Sequence, residues 1–215
     1  MIIEQIDDPD LTSLMGFSAE SQTQRSAGVH LSDIIRIIMQ RLEKGRREKK
    51  YAVNFDPDAR TPERIELGIA WEPVLEEALR RKYATVRPGE LVSPEGIAMS
   101  PDGVNPILMC GEEYKVTWKS CREGLVDEYG MPHEKFLAWF IQMKAYALWL
   151  DVDDYLLRSF FINGNYNRSG KLKDGSPDPD GGPTLKSYLL RFTQEEKEEN
   201  WQLVTHVARE EGLIP

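Results

Sequence analysis

Residues 84–118 constrain the fold of this chain most strongly, because they break into three short β-prone runs. The runs are ATVRPGELVS, EGIAMSPDGV and PILMCGEEYKVTW, and they contain or are separated by Pro-Gly, Ser-Pro and Asp-Gly turn formers. Short runs of this kind indicate a three-stranded meander. The segments on either side have the sequence pattern of helices instead, so the meander is expected to belong to a sheet packed against helices.

Apolar residues recur at helical spacing in two segments before the meander and two after it. The first helix is predicted over residues 33–48 with Ser32 as its N-cap, and the second over about 62–83. A third helix is predicted over about 133–151. A last helix follows Thr193 as its cap, with acidic residues crowding its first turn.

Two further strands are predicted between the third and fourth helices, beginning at Tyr155 and Thr184. The order of helices, meander, helix, strands and helix indicates an α/β fold, with a central mixed sheet of about five strands flanked by helices. Residues 1–30 are polar with weak periodicity, so we expect an N-terminal arm there and a single domain over residues 31–215.

Composition supports a globular protein and narrows the class of function. Hydrophobic residues make up 40% of the 215 and charged residues 29%, which allows a core that needs no covalent staples. No run approaches 18 apolar residues and the start lacks the pattern of a signal peptide, so no membrane partner is expected. A net charge of −9 argues against a general nucleic-acid coat protein, but not against a DNA enzyme with a local basic surface.

The two cysteines, Cys110 and Cys121, are too few for a four-cysteine zinc or iron–sulfur site. Each is predicted to pack as a small apolar residue in or beside a strand. Such use of cysteine fits a cytoplasmic protein, although a single disulfide bond would fit the sequence as well.

The third run of the meander, GEEYKVTW, places a carboxylate and an ammonium group on one face. Side chains alternate along a strand, so Glu113 and Lys115 point the same way. Asp102 lies in a Ser-Pro-Asp-Gly turn with ten residues between it and Glu113, and a hairpin would bring the two carboxylates together. Close carboxylates repel unless a cation joins them, and oxygen ligands suit Mg²⁺ or Mn²⁺. A lysine there can orient an attacking water, so the set suits metal-assisted phosphodiester hydrolysis. The alternative is a turn aspartate beside an exposed, ion-paired strand.

The series Asp102, Glu113, Tyr114 and Lys115 resembles the signature of the PD-(D/E)XK nuclease superfamily, in particular phage lambda-exonuclease/YqaJ-type and RecB-like nucleases. The resemblance implies a restriction-endonuclease-like core. It also implies a Mg²⁺-dependent deoxyribonuclease, an exonuclease in phage-type DNA recombination or processing, with Mn²⁺ as a substitute and no iron–sulfur cluster. By the same resemblance Asp102, Glu113 and the Tyr114 carbonyl hold the metal, and Lys115 positions the nucleophilic water.

A motif on the second helix supports this resemblance. Gly68-Ile69-Ala70-Trp71-Glu72 is similar to a Gly-x-x-x-Glu motif that these exonucleases carry before the meander. The resemblance implies that Glu72 holds metal or its water shell. The alternative is an ordinary solvent-facing glutamate. Because Pro73 fits best in a first helical turn, the helix is expected to start or bend near Trp71.

A motif on the third helix follows in the order that the family has. Gln142 and Tyr146 lie four residues apart and so share one helix face. They resemble the Gln-x-x-x-Tyr motif of RecB-like nucleases, which implies that they orient Lys115 or a substrate phosphate. Gln142 lies inside an otherwise apolar run, and a buried amide needs a hydrogen-bond partner. The alternative is a general amphipathic helix with Tyr146 partly buried.

Two basic features are candidates for DNA contacts. Arg25 and Ser32 resemble residues that hold DNA phosphate in the same exonucleases, where a capped helix N-terminus suits an anion. A plain Ser32 cap is an equal alternative. The run from Arg41 to Lys50 fits either a DNA-tracking surface or a solvated helix end.

Several functions and partners remain open at the level of sequence. The alternatives to an exonuclease are a catalytically silent nuclease-fold protein with a DNA-associated or virion-structural role, and an endonuclease acting on branched DNA. DNA is the expected partner. The resemblance also admits a single-strand annealing protein and a homo-oligomeric ring, and it implies the host cytoplasm if the chain is phage-encoded. The first motif helix lacks the histidine of many RecB-like members, which favours the phage-exonuclease branch.

Overall fold

A computed structural model describes residues 2–6, 27–50, 62–83, 85–122, 124–167 and 169–215, some by backbone alone. Its helices are α1 (Leu31–Lys50), α2 (Pro62–Tyr83), α3 (Leu137–Trp149) and α4 (Gln194–Glu210), with a 3₁₀ turn at Glu134–Phe136. Its strands are β1 (Ile2–Ile6), β2 (Val29–His30), β3 (Leu91–Val92), β4 (Ile97–Met99), β5 (Gly103–Asn105), β6 (Cys110–Thr117), β7 (Asp154–Phe161) and β8 (Thr184–Arg191).

A five-stranded mixed sheet lies at the centre, with strand order β1-β8-β7-β6-β5. β6 and β7 run parallel, with Glu113 opposite Leu157, and the other neighbours are antiparallel. Parallel neighbours need a crossover connection, which here contains α3. The predicted fold class, an α/β fold with a five-stranded mixed sheet flanked by helices, is confirmed.

The predicted meander is wrong in its pairing. β4 lies between β2 and β3 and pairs with both in a separate three-stranded sheet of order β2-β4-β3, whereas β5 joins β6 in the large sheet. The run EGIAMSPDGV is therefore divided between two sheets. The break falls at Pro101, and a proline has no N–H to continue a strand ladder.

Two strands lie within residues 1–30, where the sequence predicts an irregular arm. β1 pairs antiparallel with β8, placing Ile3 opposite Leu190, and β2 pairs parallel with β4. Both strands are stabilised by segments far along the chain, so local periodicity gives no sign of them. The expectation of an irregular segment does not hold at these residues.

Helices cover both faces of the large sheet. On one face α3 packs on β6 and β7 and against α1 and α4, around buried residues that include Phe140, Met143 and Leu157. On the other face α2 packs on β6, and its Leu75 and Leu79 contact the buried Tyr114. β6 thus lies between two helical layers, which shields its central residues from water.

The helix ends agree with the sequence in part. α4 begins with a full capping box, in which Thr193 accepts from the Glu196 amide and Glu196 accepts from the Thr193 amide. α1 begins at Leu31, so Ser32 lies in the first turn and the predicted N-cap position is wrong. α2 is continuous through Pro73, so it does not start near Trp71.

Both cysteines are buried free thiols, as the sequence predicts. Burial raises the pKa of Cys110 to about 12, so its thiol is protonated at neutral pH. Among the described helices, none has the length and apolar character that crossing a membrane requires.

Candidate active site

The β5–β6 hairpin brings Asp102 to the strand that carries Glu113 and Lys115. The register pairs Gly103 with Glu112, and extending it by one residue places Asp102 across from Glu113. Asp102 Oδ2 accepts a hydrogen bond from the Tyr114 amide at 2.8 Å. We call Asp102, Glu113 and Lys115 the carboxylate site.

Glu113 is the buried centre of this site. Its side chain is 0% exposed, and that of Lys115, on the same face of β6, is 17% exposed. Lys115 Nζ donates to Glu113 Oε1. The alternative of an exposed, ion-paired strand is therefore wrong about exposure, although the ion pair is present, because Glu113 lies inside the protein, where water screens its charge little.

The charge state of Asp102 is set by opposing effects. Desolvation raises the pKa of its carboxyl, whereas the nearby charge of Lys115 and the bond from the Tyr114 amide lower it. Arg87 also lowers the pKa and Glu76 raises it. Desolvation prevails, so the ionised carboxylate is held at a free-energy cost that a bound cation would offset.

Tyr114 contributes to this region through its backbone. The N–H and C=O of a strand residue point to the same side, so its carbonyl faces the edge on which Asp102 lies. Its side chain points to the other face of the sheet, where its hydroxyl donates to Glu112 Oε2 at 2.9 Å. Glu112 also accepts from Asn105 Nδ2 at 3.2 Å and lies 3.6 Å from Arg158 Nε, so it belongs to a separate buried network.

Gln142 and Tyr146 lie on α3, which packs on β6. Gln142 Nε2 donates to the Tyr146 hydroxyl at 3.0 Å, which gives this amide a hydrogen-bond partner. Burial raises the pKa of Tyr146, the charges of Glu113 and Asp102 raise it further, and the bond from Gln142 lowers it. Tyr146 therefore lies within the electrostatic reach of the carboxylate site.

The described contacts do not bring the other predicted site residues to the carboxylate site. Glu72 lies on α2, one turn before Glu76, but its side chain is outside the described part, as is all of Arg25. Ser32 is exposed on α1 and has no hydrogen bond to the carboxylate site among the described residues. Arg41, in the basic run, forms ion pairs with Glu210, the last residue of α4, and with Glu211 directly after it, which supports the alternative of a helix end for that residue.

Tyr155 is a residue of this region that the sequence did not indicate as functional. It is 0% exposed at the start of β7, directly opposite Gly111 of β6. A Cβ added to Gly111 would lie 2.2 Å from Tyr155 Cε2, so the phenol ring occupies the space above that glycine. No local motif marks Tyr155, because its position depends on the pairing of two distant strands.

The donor atoms of the site fit a hard divalent cation. Asp102, Glu113 and the Tyr114 carbonyl offer oxygen, the donor that Mg²⁺ prefers, and soft sulfur ligands are absent from this set. Among the described side chains, no group of three or more Asp, Glu, His or Cys residues is placed to hold a metal. A further carboxylate would therefore have to come from outside that set, and Glu72 is the candidate on α2.

No protein-family model matches the chain, and no curated protein matches it significantly. The crystal structure of SSO0001 is similar at a TM-score of 0.48 and 13% identity, over 88% of this chain and 79% of that chain. The crystal structure of a phage related exonuclease from Haemophilus somnus 129PT is similar at a TM-score of 0.43 and 15% identity, over 93% and 90% of the two chains. Both TM-scores lie below 0.5, so neither similarity supports a conclusion about function.

Proposed function

We propose that this protein is a Mg²⁺-dependent deoxyribonuclease that hydrolyses phosphodiester bonds. The observation that carries the proposal is the fully buried Glu113, paired with Lys115 on its own face and faced by Asp102 across a hairpin. A protein buries two close carboxylates at a cost unless a cation joins them. A lysine added to such a pair is the combination that metal-assisted phosphodiester hydrolysis requires.

Each residue has a role in this proposal. Asp102, Glu113, the Tyr114 carbonyl and Glu72 hold the cation, which supplies stabilisation of negative charge on the scissile phosphate. Lys115 positions the attacking water, and its ammonium offsets charge on the phosphate. Gln142 and Tyr146, bonded to each other and within the electrostatic reach of Glu113, orient Lys115 or the phosphate.

The order of motifs along the chain supports an exonuclease within this class. The α2 glutamate precedes the Asp102 hairpin, and the α3 pair of Gln142 and Tyr146 follows the Lys115 strand, as in phage-type exonucleases and RecB-like nucleases. We therefore propose linear DNA as the substrate and DNA recombination or processing as the setting, with Mn²⁺ as an alternative cation. Arg25 and Ser32 are proposed to contact DNA phosphate. A single-strand annealing protein is a proposed partner, and a homo-oligomeric ring is a proposed assembly.

A pair of lysine variants tests the proposal. Lys115→Ala should lower Mg²⁺-dependent release of nucleotides from linear DNA by at least about 100-fold, the scale of losing one group that stabilises developing charge. Lys171→Ala removes an exposed loop lysine and should leave the rate unchanged. Equal activity of the two purified, folded variants would refute the assignment of this site.

A further inference from the structure

The buried side chain of Tyr155, near the carboxylate site, carries a hydroxyl group to which the proposed function assigns no role. Tyr155 is 0% exposed, and its hydroxyl finds no hydrogen-bond partner among the described residues. Native proteins pair nearly all of their buried polar groups, and an unpaired hydroxyl costs free energy. The Tyr155 hydroxyl is thus an exception that calls for a polar partner outside the described residues.

The position of Tyr155 indicates where that partner lies. Tyr155 is opposite Gly111, so its side chain shares the sheet face of Glu113, two residues further along β6. The ring lies above Gly111, as the 2.2 Å from an added Cβ to Cε2 shows, and so extends across β6. Gly111 is the residue that leaves this path open, since any side chain there would collide with the ring.

Electrostatics agree with this placement. Burial raises the pKa of Tyr155 well above its ordinary value, and the charge of Glu113 is the next largest cause. Tyr146, Asp102 and Tyr114 raise the pKa further. The hydroxyl therefore lies within the electrostatic reach of Glu113 and Asp102.

Ser159 is a second buried hydroxyl of β7 without a partner among the described residues, and it is aligned with Lys115. Its side chain is too short to cross to the neighbouring strand, whereas the phenol of Tyr155 spans that distance. Of these two hydroxyls, the one of Tyr155 is therefore the one that can extend toward Glu113 and Asp102.

We infer that Tyr155 is a positioning residue of the carboxylate site, whose hydroxyl hydrogen-bonds a water in the hydration shell of the cation held by Asp102 and Glu113. The inference rests on the proposed function, because it needs that cation. A hydroxyl in this position acts through water and so stabilises one arrangement of the hydrated ion.

Calorimetric titration with Mn²⁺ tests the inference without any measurement of nuclease activity. Tyr155→Phe removes only the hydroxyl, and it should weaken Mn²⁺ binding by about 10-fold or more, the usual effect of losing such a partner. The melting temperature without metal should stay equal or rise, because an unpaired buried hydroxyl is deleted. The matched control is Tyr188→Phe, a buried tyrosine on the same sheet face whose pKa responds to Cys121 and Asp180 instead. It should bind Mn²⁺ as the wild type does.

Each of the other possible results would reject either the role of Tyr155 alone or the proposed function together with it. Wild-type affinity in Tyr155→Phe would reject the role of Tyr155 and leave the proposed function standing. Failure of the wild type to bind Mn²⁺ would reject the proposed function and the inference with it. Misfolding or a lowered melting temperature of Tyr155→Phe would show a structural partner for the hydroxyl, and an equal loss of affinity in Tyr188→Phe would show a general packing effect. Both would reject the inference.

Discussion

At the scale of single residues, the ionised carboxylate of Asp102 suits cation binding but destabilises the metal-free protein. Desolvation raises the pKa of its carboxyl, so the folded protein holds the proton more tightly than the unfolded chain does. Stability from this group is therefore fully present below the ordinary aspartate pKa and is lost as pH rises through the raised value. At neutral pH, Asp102 destabilises the protein unless a cation binds it.

Asp102→Asn should stabilise the metal-free protein at neutral pH, because asparagine can still accept from the Tyr114 amide and carries no charge. We expect a rise in melting temperature of about 2 °C or more, which corresponds to about 1 kcal/mol in a domain of this size. The difference from wild type should shrink as pH falls to the ordinary aspartate pKa. Thermal unfolding across pH, with and without Mn²⁺, measures both. Two results would contradict the destabilising role of the Asp102 carboxylate and its binding of a cation. One is a variant that is less stable than the wild type at neutral pH, and the other is a variant that Mn²⁺ stabilises as much as it stabilises the wild type.

At the scale of elements, the close pairing of β6 and β7 depends on Gly111. The Tyr155 ring fills the space where a side chain would stand, which fixes the two strands in one register. Interiors are packed densely enough that one extra methyl group is felt. The contact between these strands therefore supports the geometry of the carboxylate site that lies two residues further along β6.

Gly111→Ala should lower the free energy of unfolding by about 1–3 kcal/mol, the usual range for an overpacked core position. Gly89→Ala is the matched control, since a Cβ there meets no atom within 4 Å. It should change stability by about 0.5 kcal/mol at most. Urea denaturation of both variants measures the difference, and equal stabilities would show that β6 and β7 adjust freely.

The capping box of α4 gives a second test at this scale. Thr193→Ala removes the acceptor for the Glu196 amide and should cost about 1 kcal/mol. Gln202→Ala, an exposed change in the middle of the same helix, should be nearly neutral. Thermal unfolding compares the two, and a melting temperature of Thr193→Ala equal to that of Gln202→Ala would argue that tertiary packing alone holds α4.

Elements with strong local signals could be predicted from the sequence, and elements that depend on distant partners could not. α2 begins at Pro62 as predicted, and the Thr193 cap is present, because spacing and capping residues act within a few positions. β1 pairs with β8, almost at the other end of the chain, and the run around Pro101 is split between two sheets because β4 pairs with β2. Neither partner can be read from the neighbourhood in sequence.

At the scale of the whole molecule, the same distinction applies to the site. Asp102, Glu113 and Lys115 could be placed together because strand alternation and one short hairpin suffice to do so. Tyr155 comes from a strand more than 40 residues after Glu113 along the chain, and only the parallel pairing of β6 and β7 brings it to the site. The fold thus adds a buried hydroxyl to a site whose charged centre is local in sequence.

Digestion of end-labelled linear DNA and closed circular DNA side by side, with Mg²⁺ and with EDTA, tests whether this protein is a metal-dependent exonuclease. We expect linear DNA to be degraded from its ends, the circle to stay intact, and EDTA to stop the reaction. A nicked circle would show an endonuclease and contradict the proposed exonuclease. No loss of either substrate, with a folded protein at saturating Mg²⁺, would contradict the assignment as a nuclease.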